Sequence, residues 1–311
     1  MKSYLQRCTQ EQFQCMLREI GTSEEALQRD VQYLMKWMEK EPHLPNIKDE
    51  DMLMNALILN KNRMEKTKLL LHLFYTAKAR WPYLSLDRDI IFDQLEDLKR
   101  LGCFVPLPKL TPEGDRVFIC RLNKLAPEDI PNWQFILKCC AVLIELTLKI
   151  DCFRRVICIA DVENLNPAVA AMVVTMATKA PVLLAAKHVP ARTGNIYIMN
   201  LHPIFQWLLS FVKTLLKPKI TEKIVIWEKE PECLSKEIPK HILPPEFGGT
   251  ERPIDELYDD FVDYIKQFRH YASSLSDLKA DLTKIPDEYG YNKENEMQFG
   301  IDGTFRNLII E

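Results

Sequence analysis

The sequence predicts an α/β fold: a helical N-terminal unit, then strands alternating with helices in a mostly parallel sheet. Three observations carry this. In the first part of the chain apolar residues recur at spacings of three and four, as in Leu27, Val31, Leu34, Met35 and Met38, the period of one helix face. Beyond residue 103 the pattern changes to short, continuous apolar runs, which suit strands covered on both faces. Helical stretches separate those runs, as crossovers between parallel strands require.

The elements follow in order. After the helix through Met38 comes the loop Glu41-Pro42-His43-Leu44-Pro45, where proline cannot continue a helix. Residues 52–80 read as one long helix with Leu69, Leu70, Leu73 and Phe74 on its apolar side, and 87–101 as another that ends at Gly102. Strands are expected at 117–120, 156–160, 196–199 and 224–227, with helices at 132–150, 167–187 and 204–216. Asp161, at a strand end, is suited to cap a helix or to fix the turn into Asn164-Leu165-Asn166-Pro167. After Gly248-Gly249, the residues Ile254, Leu257, Tyr258, Phe261, Val262, Ile265 and Phe268 mark an amphipathic helix.

With 311 residues, 47% hydrophobic and 27% charged, and only 9 glycines, the chain is neither collagen-like, low-complexity nor largely disordered. The net charge of −3 averages two unlike regions. Residues 251–311 hold 14 acidic and 7 basic residues, which leaves 34 basic and 30 acidic for residues 1–250. A global nucleic-acid binder would be more basic, so no nucleic-acid partner is expected. The start, MKSYLQRCTQEQFQ, has no apolar h-region. The apolar stretches 135–150 and 168–186 are interrupted by Lys138, Glu145, Lys179 and Pro181 and fall short of the roughly 18–20 apolar residues of a membrane span. A soluble, cytoplasmic protein is expected. Nine cysteines without a CxxC pair argue for buried thiols rather than a disulfide framework or structural zinc. No GxSxG, HExxH, GxGxxG or GxxxxGK[ST] occurs, and none of the six histidines sits in a nucleophile motif. Neither an enzyme nor a cofactor is expected.

One helix stands apart. Within 204–216, Gln206, Ser210 and Lys213, continued by Lys217, form a single narrow polar stripe on an otherwise apolar and aromatic surface. Such a helix is either a core helix or one that faces an apolar cavity on one side and a membrane on the other. Lys213, Lys217, Lys219 and Lys223 follow within 11 residues, and Lys187 and Arg192 lie upstream. Basic residues beside an apolar helix attract an anionic membrane surface, at about 1 kcal/mol per Lys or Arg; an ordinary solvated face is the other reading.

Several motifs then carry a resemblance. Leu243-Pro244-Pro245-Glu246-Phe247-Gly248-Gly249 resembles the LPxEYGG signature of the CRAL-TRIO lipid-binding family. In chain order with it come WMEKEPHLP (37–45), PLPKLTPEGDRVFICR (106–121), VICIADVENL (156–165) and FGIDGTFRNL (299–308), each similar to a family segment. The resemblance implies an N-terminal helical domain over 1–102, a lipid-binding domain over 103–250 whose sheet floors an apolar cavity, and a C-terminal helix and tail over 251–311. It makes 204–216 a mobile gate helix, with Phe205, Trp207, Leu208, Phe211 and Val212 available to a membrane. It places Cys140, Ile144, Leu184, Ala185, Ile196, Phe205 and Leu209 in the ligand pocket. It also assigns Arg192, Lys217, Lys219 and Lys223 to a phosphoinositide site.

The implied function is a monomeric carrier of one small hydrophobic ligand (tocopherol-, retinoid- or phospholipid-like), peripheral and transient on membranes. Asn55 and Ile58 stand where the family usually has arginines, and Asn164 stands where it usually has glycine. Two alternatives stay open: a lipid-sensing module that docks a protein partner through its acidic C-terminal region, and an enzyme acting on a lipid.

Overall fold

The computed structural model describes residues 3–179, 192–228 and 230–286. Helix α1 (Gln10–Ile20) opens with a capping box: the Gln12 N–H donates to the Thr9 hydroxyl, and the Gln12 side chain accepts from the Thr9 N–H. Helix α2 (Glu24–Lys40) is capped by Ser23 and buries Leu27, Val31, Leu34 and Met38. The stretch 52–80, expected as one helix, is two, α3 (Glu50–Leu59) and α4 (Met64–Arg80). Lys61 and Asn62 take left-handed backbone, φ 59° and 51°, and the Asn62 N–H returns to the Leu57 carbonyl at 2.8 Å. Asparagine tolerates that geometry, and its side chain is held by Asp30 at 2.7 Å. The stretch 87–101 likewise divides at Gln94 into α5 (Asp89–Asp93) and α6 (Leu95–Leu101).

Strand β1 (Gly102–Leu110) is not foreseen by the sequence pattern, because Pro106 and Pro108 interrupt it. It forms because it is an edge strand, antiparallel to β2 (Arg116–Leu122), where missing donors are tolerated. Residues near the start of the chain lie along it. The Gln6 N–H donates to the Pro108 carbonyl and the Tyr4 hydroxyl to the Pro106 carbonyl, each at 2.8 Å.

Strands β2, β3 (Val156–Asp161), β4 (Thr193–Met199) and β5 (Ile224–Trp227) run parallel, in the same order as the chain. Helices α7 (Trp133–Ile150), α8 (Pro167–Lys179), α9 (Gln206–Leu215) and the short α10 (Pro218–Thr221) lie in the connections. The end of the expected helix 167–187 and the 299–308 motif lie outside the described residues.

Register defines the two faces. Phe118, Cys158, Ile196 and Ile224 form one row, and Cys120, Ala160, Ile198 and Ile226 the next. Alternate residues point to opposite faces, so Val117, Ile119, Ile157, Ile159, Tyr197, Met199 and Trp227 belong to the other side. That second face is buried in the main core with Leu243, Phe247 and Leu257, Phe261 and Ile265 of α11 (Ile254–Lys266). Another core joins α2, α3 and α4 to Leu110, Leu148 and Phe153, so the helical region packs directly against α7 and the sheet's start. Asn55 reinforces this contact by donating to the Leu148 carbonyl at 2.9 Å.

The LPPEFGG motif turns the chain into α11. Leu243 and Phe247 are buried, and the Glu246 carboxylate accepts the Ile254 N–H at 3.0 Å. Gly248 is left-handed, φ 75°, and a Cβ on Gly249 would sit 1.7 Å from the Leu243 carbonyl oxygen. A close backbone approach therefore demands the glycine pair. A short α12 (Arg269–Ser274) follows.

Candidate functional site

The face carrying Phe118, Cys120, Cys158, Ala160, Ile196, Ile198, Ile224 and Ile226 is apolar yet only partly covered, with Ile226 39% exposed. At its β1 end Phe104, 40% exposed, lies against Phe118 with ring centroids 5.7 Å apart. Among the described residues none of these side chains joins a packed core cluster. The charged residue of the same parity, Arg116, is fully buried at the start of β2. Asp151 holds it in a bidentate pair at 2.7 and 2.8 Å, and the carbonyls of Gln6, Leu107 and Pro108 take its remaining donors.

Three thiols mark this face. Cys120 and Cys158 stand on it, and Cys140 of α7 lies close enough to Cys120 to act on it electrostatically. Cys140 is exposed, and Cys120 and Cys158 are half-buried. Burial nevertheless pushes the Cys140 and Cys158 thiols up to about 11, and that of Cys120 up to about 12. Surrounding protein suppresses their ionisation while part of each side chain stays uncovered. Of the other expected pocket residues, Ile196 is half-buried on this face, and Leu209 is half-buried on α9. Ile144 is also half-buried but packs against the core of the helical region. Leu184 and Ala185 lie outside the described residues.

Helix α9 lies on α8. Phe205 and Leu208 are buried against Ala170, with Phe211, Val212, Val173 and Val174 packed around them. Trp207 points outward at 53% exposed, and so does Ile204, at 65% exposed, which the sequence pattern did not single out. Gln206 and Ser210 are exposed on the polar stripe.

The basic residues form a band that includes the helical region. Arg192 is ion-paired with Glu19 of α1, and Arg154 approaches the same carboxylate at 3.7 Å. Lys223 is half-buried and donates to the Thr193 carbonyl. Burial first, then Arg155, Arg192 and Lys61, hold its ammonium below the ordinary lysine range. Lys66 is lowered in the same way, by burial, then Lys217, Arg63 and Lys61. Lys61, at the left-handed turn after α3, thus acts electrostatically on both Lys66 and Lys223. Lys217 and Lys219 are exposed. Sequence reasoning missed Lys61, Lys66, Arg154, Arg155 and Glu19. Residues 60–63 lie inside the stretch read as one helix, and nothing local placed them near β4 and β5.

Asn55 and Ile58 are both buried in α3, so a basic residue at either position would point into the packed interior rather than into this band. Asn164 keeps a negative φ and donates to the Leu122 carbonyl at 3.0 Å. Asp161 fixes its turn, accepting from the Glu163 N–H at 3.2 Å and from Asn200 at 2.8 Å. Among the described residues, no cluster of three or more His, Cys, Asp or Glu could hold a metal ion, and no helix is long and apolar enough to cross a membrane.

A mostly parallel sheet with one apolar face only partly covered by the described residues, flanked by a helix that displays Trp207 and by a cationic band, has the layout of an α/β binding module. Residues 101–249 match the CRAL/TRIO domain, and residues 23–95 match the domain described as Pinta-like, UBA domain. The chain belongs to the CRAL-TRIO family, a family of lipid-binding and lipid-transfer proteins that are generally not enzymes. Among its relatives are the alpha-tocopherol transfer protein-like proteins of Mus musculus and Homo sapiens. Each is 24% identical over 248 residues, covering 77% of this chain and 72% of the relative. The crystal structure of Sfh5 shares the fold, with a TM-score of 0.50 at 10% identity, covering 86% of this chain and 99% of that one.

Proposed function

We propose that this protein is a cytosolic, monomeric carrier of one uncharged hydrophobic molecule, which lies between the open sheet face and the helices opposite it. The observation that supports this reading is the row of apolar side chains on β2–β5 that joins none of the core clusters of the described residues, with thiols that are surrounded by protein and yet accessible. Cavity walls have that combination. A ligand there gains about 25 cal/mol per Å² of apolar area removed from water. A thiol is only a weak hydrogen-bond partner, and the described face offers no free charge. An ionised headgroup buried there would face an uncompensated desolvation cost. The reading therefore favours a tocopherol- or retinoid-like cargo, or another neutral lipid, over a fatty acid or a phospholipid headgroup.

Helix α9 is the gate. Phe205, Leu208, Phe211 and Val212 hold it shut on α8, while Trp207 and Ile204 make first contact with a membrane. Swinging outward would give the inward-facing residues acyl chains instead of Ala170 and Val173 as neighbours. Arg192, Lys217, Lys219 and Lys223, joined by Lys61 and Lys66, would bind anionic headgroups such as phosphoinositides. A headgroup triggers release only by favouring the open state over the closed one. Much of the acidity of 251–286 is neutralised internally: Asp255 pairs with Arg121, Asp259 with Lys99 and Asp260 with Arg252. Within the described residues these pairs offset part of the charge on which the partner-docking alternative rests.

The test is native mass spectrometry of the purified protein, followed by transfer of the identified lipid between vesicles. The expected result is one neutral lipid per chain and faster transfer to acceptor vesicles containing phosphatidylinositol bisphosphate. An empty protein that neither extracts nor transfers lipid would sink the proposal.

A further inference from the structure

Glu19 lies in the last turn of α1, in the helical region, yet its carboxylate reaches the cationic band. One oxygen is bonded to Arg192, and the other lies 3.7 Å from Arg154. Lys61 contributes to the same field, and together these cations hold the Glu19 carboxyl below the usual carboxylate range. Arg155 and Lys223 border the site.

Of the other carboxylates near Arg154, Glu113 acts only at longer range, and Asp115 is bonded to it. Asp115 is buried and locked by Arg154 at 2.7 and 2.8 Å and by Arg155 at 2.9 Å. It is part of the frame. Glu19 is different: its side chain is 35% exposed and hangs from a helix end, so it can swing away without unpacking a core. Arginines oriented in this way, with donors left for a planar or tetrahedral oxyanion, suit phosphate as well as carboxylate.

We propose that Glu19 is a built-in competitor for a phosphate-binding seat formed by Lys61, Arg154 and Arg192, and that a phosphate group must displace it before the band can engage a membrane. This rests on the headgroup-binding role given to the band above. It adds a residue of opposite sign from a different part of the chain, which sets the threshold for binding. The competition is electrostatic, so it acts on headgroup affinity and leaves the apolar contact of Trp207 untouched. It weakens with salt, as any exposed ion pair does.

The test compares the full-length protein with Glu19→Gln, which keeps the shape and removes the charge. Binding is measured to phosphatidylcholine vesicles with and without phosphatidylinositol bisphosphate, and to soluble inositol trisphosphate and inorganic phosphate. Glu19→Gln is expected to bind the phosphoinositide vesicles about 5- to 10-fold tighter than wild type, the scale of one charge at an anionic surface. Binding to pure phosphatidylcholine stays unchanged, and adding Arg192→Ala removes the gain, because the two residues act as one unit. A gain toward inositol trisphosphate and inorganic phosphate as well marks a seat for free phosphate. A gain confined to vesicles marks a membrane headgroup seat.

If Glu19→Gln binds phosphoinositide vesicles no tighter than a wild type that does bind them, the competitor role is wrong while the headgroup reading stands. Weaker binding accompanied by a lower melting temperature makes Glu19 a structural support and overturns the proposal. If neither protein distinguishes phosphoinositide from phosphatidylcholine, the headgroup reading falls and the competitor role falls with it.

Discussion

Trp207 and Leu208 are neighbours on α9 with opposite fates. The indole is half out in solvent, while Leu208 is 6% exposed against α8. The spacing of Gln206, Ser210 and Lys213 revealed the polar stripe from the sequence alone. It could not say which apolar side turns inward, because that depends on where α8 lies. Replacing Trp207 by alanine should change stability by no more than about 0.5 kcal/mol, as for other exposed sites. Affinity for anionic vesicles should fall, since an indole suits the boundary between headgroups and acyl chains. Thermal unfolding and vesicle co-sedimentation check both halves; unchanged binding would remove Trp207 from the membrane contact. Asn55 and Ile58 make the same point in reverse. As letters in a sequence they stand where cations are usual, and only the packing of α3 on α7 shows that both are interior.

At the scale of elements, helices and parallel strands were legible wherever the apolar period was long and uniform, as in α2, α7, β3 and α11. Breaks were less so. The turn at Lys61 and Asn62 interrupts a sequence whose apolar pattern continues through it, and β1 is hidden by its prolines. The loop between α2 and α3 carries a testable consequence. His43 is fully buried and its Nε2 lies 2.9 Å from Nδ1 of His72 on α4, while Glu41 approaches Nδ1 of His43 at 3.7 Å. Burial lowers the His43 pKa, outweighing the opposing pull of Glu41. A histidine whose folded pKa is lowered leaves more protons on the unfolded chain below its ordinary value of about 6.5. Stability is therefore undiminished above that pH and declines as pH falls through it, by up to about 1.4 kcal/mol per unit for one proton. Denaturant unfolding at pH 7.5 and 5.5 should show that loss in wild type and a shallower one in His43→Gln. Equal slopes would clear His43 of the effect.

Across the whole molecule, the helical region and the CRAL/TRIO region are fastened by buried charge as well as by apolar packing. Glu145 of α7 is 1% exposed and takes Lys78 of α4 at 2.8 Å on one oxygen and Arg88 on the other. Desolvation lowers the Lys78 ammonium to about 8 even with this partner. Glu145→Ala would leave two cations buried without their carboxylate, a loss of the order of 3–5 kcal/mol. Chemical denaturation measures it; a loss under about 1 kcal/mol would mean that water already reaches the triad. None of this was legible beforehand, because the three residues are far apart in sequence and each alone reads as an ordinary surface charge.

The outer edge of β1 has a further consequence. An edge strand presents unpaired N–H and C=O groups, and it is where strands from other chains are recruited. Pro106 and Pro108 supply no N–H to a newcomer, and their carbonyls are already engaged by Tyr4 and Gln6. Tyr4 and Gln6 thus occupy backbone positions that an incoming strand would need, which guards this edge against self-association.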